Sequence, residues 1–377
     1  MSRKKKILVL DIWRGTQGGA SKSALYGELS KLYSLEFPVF RQPLLYKAWK
    51  YLASFHPDLT KWKQRKAVID ERSQKYPKTF RMATVAWNEA IGKMPKDYDA
   101  LLQIGSLFGP VSVDSRVPYF SYHDSAVANY DAKWSKWMPG DFDRVRDEWY
   151  SLEKKMFSSM TAIMTYSAFV KETIAGEYGI APQMAHVVGS ALKIPEEYEI
   201  DWAARGPQAL FVTTDFERKG GYEALEIFET VASRVDGAKL VIAGPVPDDL
   251  TSIRRPWLHL AGPVRQSQLI EIYKRSSVLV HPARFDAFPS VILEAANFEV
   301  PCVGSRVCAI PEIIIENETG FTVEPGDKAL FAEKVIDLFR DKKALEEMGR
   351  RARRSVRERF HPSVVAANIK KVMDRHI

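Results

Sequence analysis

Short apolar runs recur along this chain at intervals that leave room for a helix between them. In the first half they read KILVLDI (6–12), DALLQIGSL (99–107), PYFSYHD (118–124), TAIMTYS (161–167) and AHVVGS (185–190). Between them, 44–95 and 142–159 carry apolar residues at helical spacing. The second half keeps a tighter beat: QALFVTT, KLVIAG, WLHLAG, VLVHP, PCVGS and GFTVE, each followed by a helix-length segment or a tight turn. Apolar strands alternating with helices predict an α/β chain whose parallel sheets are covered on both faces. The beat changes at LKIPEEYEIDWAARGPQ (192–208), where charge, proline and glycine read as a linker. The expected organisation is therefore a Rossmann-like domain over 1–192, a linker over 193–208 and a second Rossmann-like domain over 209–360. A terminal helix within 361–377 is placed to cross back to the first domain, and the Arg-rich stretch 350–359 reads as a surface helix.

Ligands of open parallel sheets collect at the carboxyl ends of the strands, so the side chains just past each run are the ones to weigh. RGTQGGASKSA (14–24) follows the first run, with Gly18 and Gly19 ahead of a helix expected to start near Ser21. Adjacent glycines let backbone approach a ligand, and helix amides favour a phosphate. The spacing matches neither a Walker A loop nor the dinucleotide fingerprint, and a plain strand-to-helix turn accounts for it equally. His123 and Asp124 end PYFSYHD, where a histidine can face a ligand or serve the structure. Asp141-Phe142-Asp143 imitates the Asp-x-Asp of metal-dependent sugar transferases, but it opens a helical segment, so Asp141 reads as a helix cap. No other grouping has metal-ligand spacing, and no metal site is expected.

Two further stretches carry charge in unusual places. In ALFVTTDFERKGGYEALEIF, Arg218 and Lys219 follow an apolar strand and precede Gly220 and Gly221, which turn into a helix. Cations there could neutralise a diphosphate or simply be solvated loop charges. In RFDAFPSVILE (284–294), Arg284 to Phe288 form a turn and Pro289 suits the first position of a helix running to about Phe298. Asp286 then lies at the helix mouth and Glu294 more than a turn inside, among apolar residues where an unpartnered carboxylate is costly. The pair could serve two parts of one ligand, or be a cap and a core Glu satisfied by a backbone amide.

Length and composition narrow the setting. At 377 residues and 46% hydrophobic, the chain is longer than one core usually supports. Asp11 and Arg14 interrupt the first apolar run, so it reads as a strand rather than a leader, and no stretch approaches a membrane span. Cys302 and Cys308 alone give no disulfide framework, and a reducing cytoplasm is expected. The net charge of +8 favours anionic partners. Basic residues concentrate in 47–68 and 349–360 without any nucleic-acid motif, so nucleic acid is not expected. Residues 42–66 mix Leu44, Leu45, Trp49, Tyr51, Leu52 and Trp62 with Lys47, Lys50, Lys61, Lys63, Arg65 and Lys66. An interfacial helix lying on anionic lipid, at the inner face of a membrane, shows that mixture. A solvated helical pair with a buried aromatic face shows it too.

Between Gly18 and Asp327 the ordered motifs resemble the family 4 glycosyltransferases, retaining enzymes of the GT-B fold. DAFPSVILE resembles the family's Glu-x7-Glu signature with Asp286 in place of the first Glu, and EVPCVGSRVCAIPEIIIENETGFTVEPGD (299–327) resembles the run that follows it. FVTTDFERKGG resembles the phosphate loop, Gly18-Gly19 the first glycine turn, and His123 falls where the family carries a cleft histidine. The likeness leaves 44–95 unaccounted for.

The resemblance implies GT-B architecture, two Rossmann-like parallel-sheet domains facing across a cleft, with the donor on the C-terminal domain and the acceptor on the N-terminal one. It implies retaining transfer from a nucleotide diphosphate sugar to a hydroxyl of a glycan, lipid-linked or small-molecule acceptor, with no metal or other cofactor required. Carried over, Asp286 would hold the donor sugar and steady charge near the anomeric centre, and Glu294 would hold the ribose hydroxyls. Arg218 and Lys219 would neutralise the departing diphosphate, assisted by Gly18, Gly19 and amides near Ser290. His123 would contact the sugar, Phe288 and Pro289 would border the donor, and the base would lie along the backbone from Ala261 to Val264. Cations at a leaving diphosphate and a carboxylate near an oxocarbenium-like centre are what such chemistry needs. Two departures, Thr214 where many members have Arg and the shorter Asp286, leave a catalytically silent sugar-nucleotide- or glycan-binding relative as the alternative.

Overall fold

The structure, a computed structural model, describes residues 3–13, 22–191 and 199–377. It divides into two compact units, residues 1–191 with 365–377 and residues 192–364. Among the described residues no helix is long and apolar enough to cross a membrane.

The first unit is built on a six-stranded, wholly parallel sheet ordered β2-β1-β3-β4-β5-β6. Its strands are β1 (Lys6–Asp11), β2 (Ser34–Glu36), β3 (Ala100–Ile104), β4 (Tyr119–His123), β5 (Ala162–Thr165) and β6 (Ala185–Val187). Five of these are the apolar runs of the sequence. The sixth, β2, is a three-residue edge strand with no fully buried residue, and it lacks the apolar signal that marks the others. Three helices, Leu44–Ser54, Leu59–Ser73 and Pro77–Gly92, fill the long periodic stretch after it. The helix Pro362–Met373 returns to this unit, where Val365, Ala366, Ile369 and Met373 bury against Ile7, Val9 and Leu29. The Tyr33 hydroxyl donates to Asp374 at 2.6 Å beside it.

The second unit repeats the plan, with a parallel sheet ordered β12-β11-β10-β7-β8-β9. The strands are β7 (Gln208–Val212), β8 (Lys239–Ala243), β9 (Leu258–Gly262), β10 (Val278–His281), β11 (Cys302–Ser305) and β12 (Gly320–Val323). From β7 the chain first runs outward through β8 and β9, then returns to lay β10 on the other side of β7. The loops after β7 and β10 therefore leave the sheet side by side, at the reversal point where such sheets bind ligands.

Several details depart from the sequence reading. Part of the stretch read as a linker is packed structure: Trp202 and Arg205 are buried in the second unit. The Arg205 guanidinium donates to the carbonyls of Lys274 (3.0 Å), Phe298 (2.7 Å) and Glu299 (3.0 Å), closing the carboxyl ends of two helices with a cation. The Trp202 indole donates to Glu299 at 2.7 Å. Pro289 stands immediately before the helix Ser290–Asn297 instead of opening it. Asp141 precedes a short 3-10 turn without capping it; its carboxylate accepts from the Tyr76 hydroxyl instead.

Gly220 governs how close the β7 loop comes to β10. Its φ is +78°, and a Cβ there would lie 1.9 Å from the Pro282 carbonyl oxygen at the end of β10. Any side chain must push the two loops apart as well as bear a left-handed backbone. Gly220→Ala is expected to lower stability by about 2 kcal/mol or more in chemical denaturation. An unchanged midpoint would show that this approach is not constrained.

Candidate functional site

The reversal point of the second unit gathers an unusual density of buried charge. Past β7, Asp215, Arg218 and Lys219 lie in the turn leading to the helix Gly221–Arg234, and past β10 come His281 at the strand end and Asp286 in the following turn. Arg218 Nη1 is 3.6 Å and Lys219 Nζ 3.3 Å from the Asp286 carboxylate, and His281 Nε2 is 3.4 Å from it. The Asp286 side chain is 13% exposed, and Arg218, Lys219 and His281 are buried. Backbone stitches the same loops: Arg218 Nη1 donates to the Phe285 carbonyl at 2.9 Å, and the Arg284 amide donates to the Arg218 carbonyl at 2.9 Å. Asp215 steadies Arg218 from its own loop, 3.4 Å from Nε.

Burial alone would raise the Asp286 carboxyl. The Lys219 ammonium, the His281 contact and the Arg218 guanidinium outweigh it and hold the group well below the usual carboxylate range. His281 is pushed down by burial, against the pull of Asp286, and is neutral at pH 7. Asp286 is thus a permanent anion between two cations.

Glu294 sits one helix turn and more beyond, in Ser290–Asn297, as its periodicity implied. Its partners are side chains and not the backbone amide weighed from sequence: the Tyr273 hydroxyl donates to it at 3.1 Å, and Ser290 bonds it from the turn before. Burial raises its carboxyl, opposed by Tyr273, Lys219 and Ser290. Lys219 therefore acts electrostatically on both carboxylates, Asp286 and Glu294. Tyr273 stacks on Phe298, with ring centroids 5.3 Å apart and planes 10° apart, which fixes its hydroxyl on Glu294.

The remaining sequence-derived residues fall as follows. Phe288 is half-buried, edge-on to Phe360, while Pro289 is buried and Ser290 exposed at the helix start. Ala261, within β9, and Val264, just past it, are half-buried and packed on the same core as the helix 290–297. Thr214 is exposed at the end of β7. Gly18 and Gly19 lie outside the described residues. His123 belongs to the first unit: it is fully buried at the end of β4, edge-on to Phe157 at 5.2 Å, with neither ring nitrogen hydrogen-bonded among the described residues. Burial pushes its pKa down to about 3. Sequence reasoning missed His281, Tyr273 and Asp215. His281 had a usable signal, since it ends a strand as His123 does. Among the described residues, no group of three or more His, Cys, Asp or Glu is placed to hold a metal ion.

The dry burial of His123 has a consequence for acid stability. Its folded pKa lies below the ordinary value near 6.5, so between about pH 6.5 and 3 the unfolded chain takes up a proton that the folded chain refuses. Stability then falls as pH falls, by up to about 1.4 kcal/mol per pH unit for this group. Urea unfolding measured from pH 7 to 4 is expected to show a shallower slope in His123→Phe by the share of one histidine. An identical slope in variant and parent would contradict the burial.

Comparison with known proteins places this geometry. Residues 196–355 match the family model described as glycosyl transferases group 1. The chain is 28% identical over 196 residues to N-acetyl-alpha-D-glucosaminyl L-malate synthase of Bacillus anthracis, covering 50% of each chain. It is 28% identical over 153 residues to the capsular polysaccharide biosynthesis glycosyltransferase CapM of Staphylococcus aureus, covering 39% of this chain and 40% of that one. The chain thus spans about half or less of the length of these curated relatives. In fold it is similar to sucrose-phosphate synthase from Thermosynechococcus elongatus (TM-score 0.70, 13% identity, 99% of both chains). It is also similar to Anabaena HepE in complex with UDP and glucose (TM-score 0.63, 11% identity, 98% of this chain and 100% of that one). Arg218, Lys219, Asp286 and Glu294 all lie within the segment that matches the group 1 glycosyl transferase model.

Proposed function

We propose that this protein is a glycosyltransferase that moves a sugar from a nucleotide diphosphate sugar to a hydroxyl acceptor, with retention at the anomeric carbon and without an obligatory metal ion. The observation that carries this reading is the convergence of Arg218 and Lys219 from one loop with Asp286 and Glu294 from the next, at the reversal point of the second unit's sheet.

On this reading the donor diphosphate takes the Lys219 ammonium and the Arg218 guanidinium, which stand where a divalent ion would otherwise neutralise the leaving group. The amino end of the helix Ser290–Asn297 adds amides to the same phosphates. Glu294, whose burial disfavours its charge, is relieved by ribose hydroxyls that donate to it. Asp286 is already ionised and shielded, so it offers negative charge to the anomeric centre as positive charge develops there. Retention and metal independence rest on the resemblance to the family 4 enzymes, and the UDP and glucose in the HepE structure make uridine diphosphate the first nucleotide to try.

We propose in addition that the protein contacts anionic membrane through the helices Leu44–Ser54 and Leu59–Ser73. Leu44 and Leu52 are 81% and 77% exposed, and Phe55 and Leu59 are exposed beside Lys47, Lys61 and Lys63. Not every residue of the stretch faces outward. Lys50 is buried on Asp70 at 2.7 Å, Lys66 pairs with the same carboxylate, and the Trp62 indole donates to Ser54. The outward lysines and apolar tips remain as the contact surface.

Calorimetry with UDP, GDP, ADP and their glucose conjugates, in the presence of EDTA, tests the donor site. One nucleotide series is expected to bind, with affinity at least about tenfold weaker in Glu294→Ala and in Lys219→Ala. If none binds, or if both variants bind as the parent does, the transferase reading falls. For the membrane, sedimentation with phosphatidylglycerol vesicles in low salt is expected to carry the protein down and to fail for Lys47→Glu/Lys61→Glu/Lys63→Glu. Equal sedimentation of parent and triple variant would refute the contact.

A further inference from the structure

One titratable group in the second unit's cluster has no part in the chemistry described so far. His281 ends β10 with its ring fully buried, and neither ring nitrogen is hydrogen-bonded among the described residues. Its Nε2 stands 3.4 Å from Asp286 Oδ2, the same oxygen that faces Lys219 Nζ at 3.3 Å. Asp286 Oδ1 faces Arg218 Nη1 at 3.6 Å. One carboxylate is thus approached by three nitrogen groups, two of them permanent cations and the third able to become one. A buried imidazole without hydrogen bonds is costly, so its place against Asp286 calls for a use.

The charge balance supplies one. Within the cluster Arg218 and Lys219 together outweigh the single Asp286 carboxylate that touches both. A diphosphate ester carries two negative charges and would claim both cations. Asp286 would then remain buried beside phosphates with its own counter-charges turned to the ligand, which is the costly state for a carboxylate. A proton on the adjacent imidazole restores the missing charge.

The forces on His281 agree in sign. Burial lowers its pKa, the Lys219 ammonium and the Arg218 guanidinium lower it further, and Asp286 pulls it up. Phosphates that neutralise the two cations remove two of the lowering effects and leave the pull of Asp286 in place, so the ring's proton affinity rises on binding. The surrounding elements bring few other charges to bear. In the β7 turn Asp215 is turned to Arg218, 3.4 Å from Nε. The helix Gln266–Arg275 brings Tyr273 and the helix Ser290–Asn297 brings Glu294, bonded to each other. On the β11 side the register partner of His281 is Gly304, and Arg306 beyond it is turned to Glu316 and Glu324 at 3.9 and 3.4 Å. Glu294 is the rival for a proton, since burial raises its carboxyl.

We propose that His281 is a positioning residue for Asp286 that acts as a reserve cation: as a diphosphate draws Arg218 and Lys219 away, the imidazole takes a proton from solvent and holds the Asp286 carboxylate ionised and in place. The role rests on the donor-site reading. The bond formed is N–H on the bare ring nitrogen, with Nε2–H facing Asp286, and nothing is oxidised or reduced. Sugar nucleotide and proton then bind together, so affinity rises as pH falls from 8 to 6.

The test is calorimetric titration of the full chain with UDP-glucose, GDP-glucose and ADP-glucose, whose diphosphate esters keep their charge over that range. Running each titration at neutral pH in PIPES and in Tris, buffers of low and high ionisation enthalpy, counts the protons taken up. Parent, His281→Asn, Asp286→Asn and Glu294→Gln are compared, with cooperative thermal unfolding followed in each. The parent is expected to take up protons and to bind about threefold or more tightly at pH 6 than at pH 8. Both effects are expected to vanish in His281→Asn and in Asp286→Asn, whereas Glu294→Gln binds more weakly and keeps the uptake. A parent that binds a sugar nucleotide without proton uptake overturns the role and leaves the donor site standing. Uptake that survives His281→Asn, or that disappears in Glu294→Gln, overturns it as well. If His281→Asn does not unfold cooperatively, the parent and Asp286→Asn decide. If none of the three sugar nucleotides binds the parent, the donor-site reading falls and the role of His281 falls with it.

Discussion

A carboxylate buried between an ammonium and a guanidinium is the constraint on which the rest of the second unit's site depends. Asp286 belongs to the β10 loop, and Arg218 and Lys219 to the β7 loop, so each ion pair is also a tie between loops. Removing one partner would leave the other buried and uncompensated, at a cost of about 3–5 kcal/mol for pairs of this kind. The sheet order makes the meeting possible, Gly220 makes it close, and Arg205 holds the far ends of the helices that carry Glu294 and Tyr273. The same cations that tie the two loops together are the ones a diphosphate would use. Ligand binding would therefore exchange partners within a preformed cluster and would not have to assemble one.

The two units share an architecture and differ in electrostatics. Both place a buried histidine at the carboxyl end of a strand, His123 on β4 and His281 on β10. Both reverse strand order beside their first strand. In the second unit the reversal point carries cations on glycine-hinged loops, which suits phosphates. In the first the described residues there include indoles, a phenol and carboxylates.

Much of this was legible in the sequence because strands buried on both faces leave a continuous apolar trace, and eleven of the twelve described strands fall on such runs. The twelfth, β2, is an edge strand of mixed residues, and nothing in Ser34-Leu35-Glu36 distinguishes it from a turn. Asp286, Glu294, Arg218 and Lys219 could be picked out because charge beside buried strand ends is costly without a reason. Their partners could not. Tyr273 reaches Glu294 from a different helix, and Asp215 looks ordinary until the loops are brought together. Asp141 misled because a cap is a backbone geometry, and here the carboxylate finds Tyr76 across the fold. Trp202 and Arg205 were hidden in a stretch whose prolines and charges suggested a tether, although their large side chains are anchors.

The central claim is that the Arg218–Lys219–Asp286 cluster is the seat of a diphosphate. A crystal structure of the chain with uridine diphosphate tests it most directly. The account predicts phosphoryl oxygens within about 3.2 Å of Lys219 Nζ and the Arg218 guanidinium, and a ribose hydroxyl donating to Glu294. A diphosphate bound elsewhere, with Glu294 meeting only Tyr273 and Ser290 and Lys219 still turned to Asp286, would contradict it.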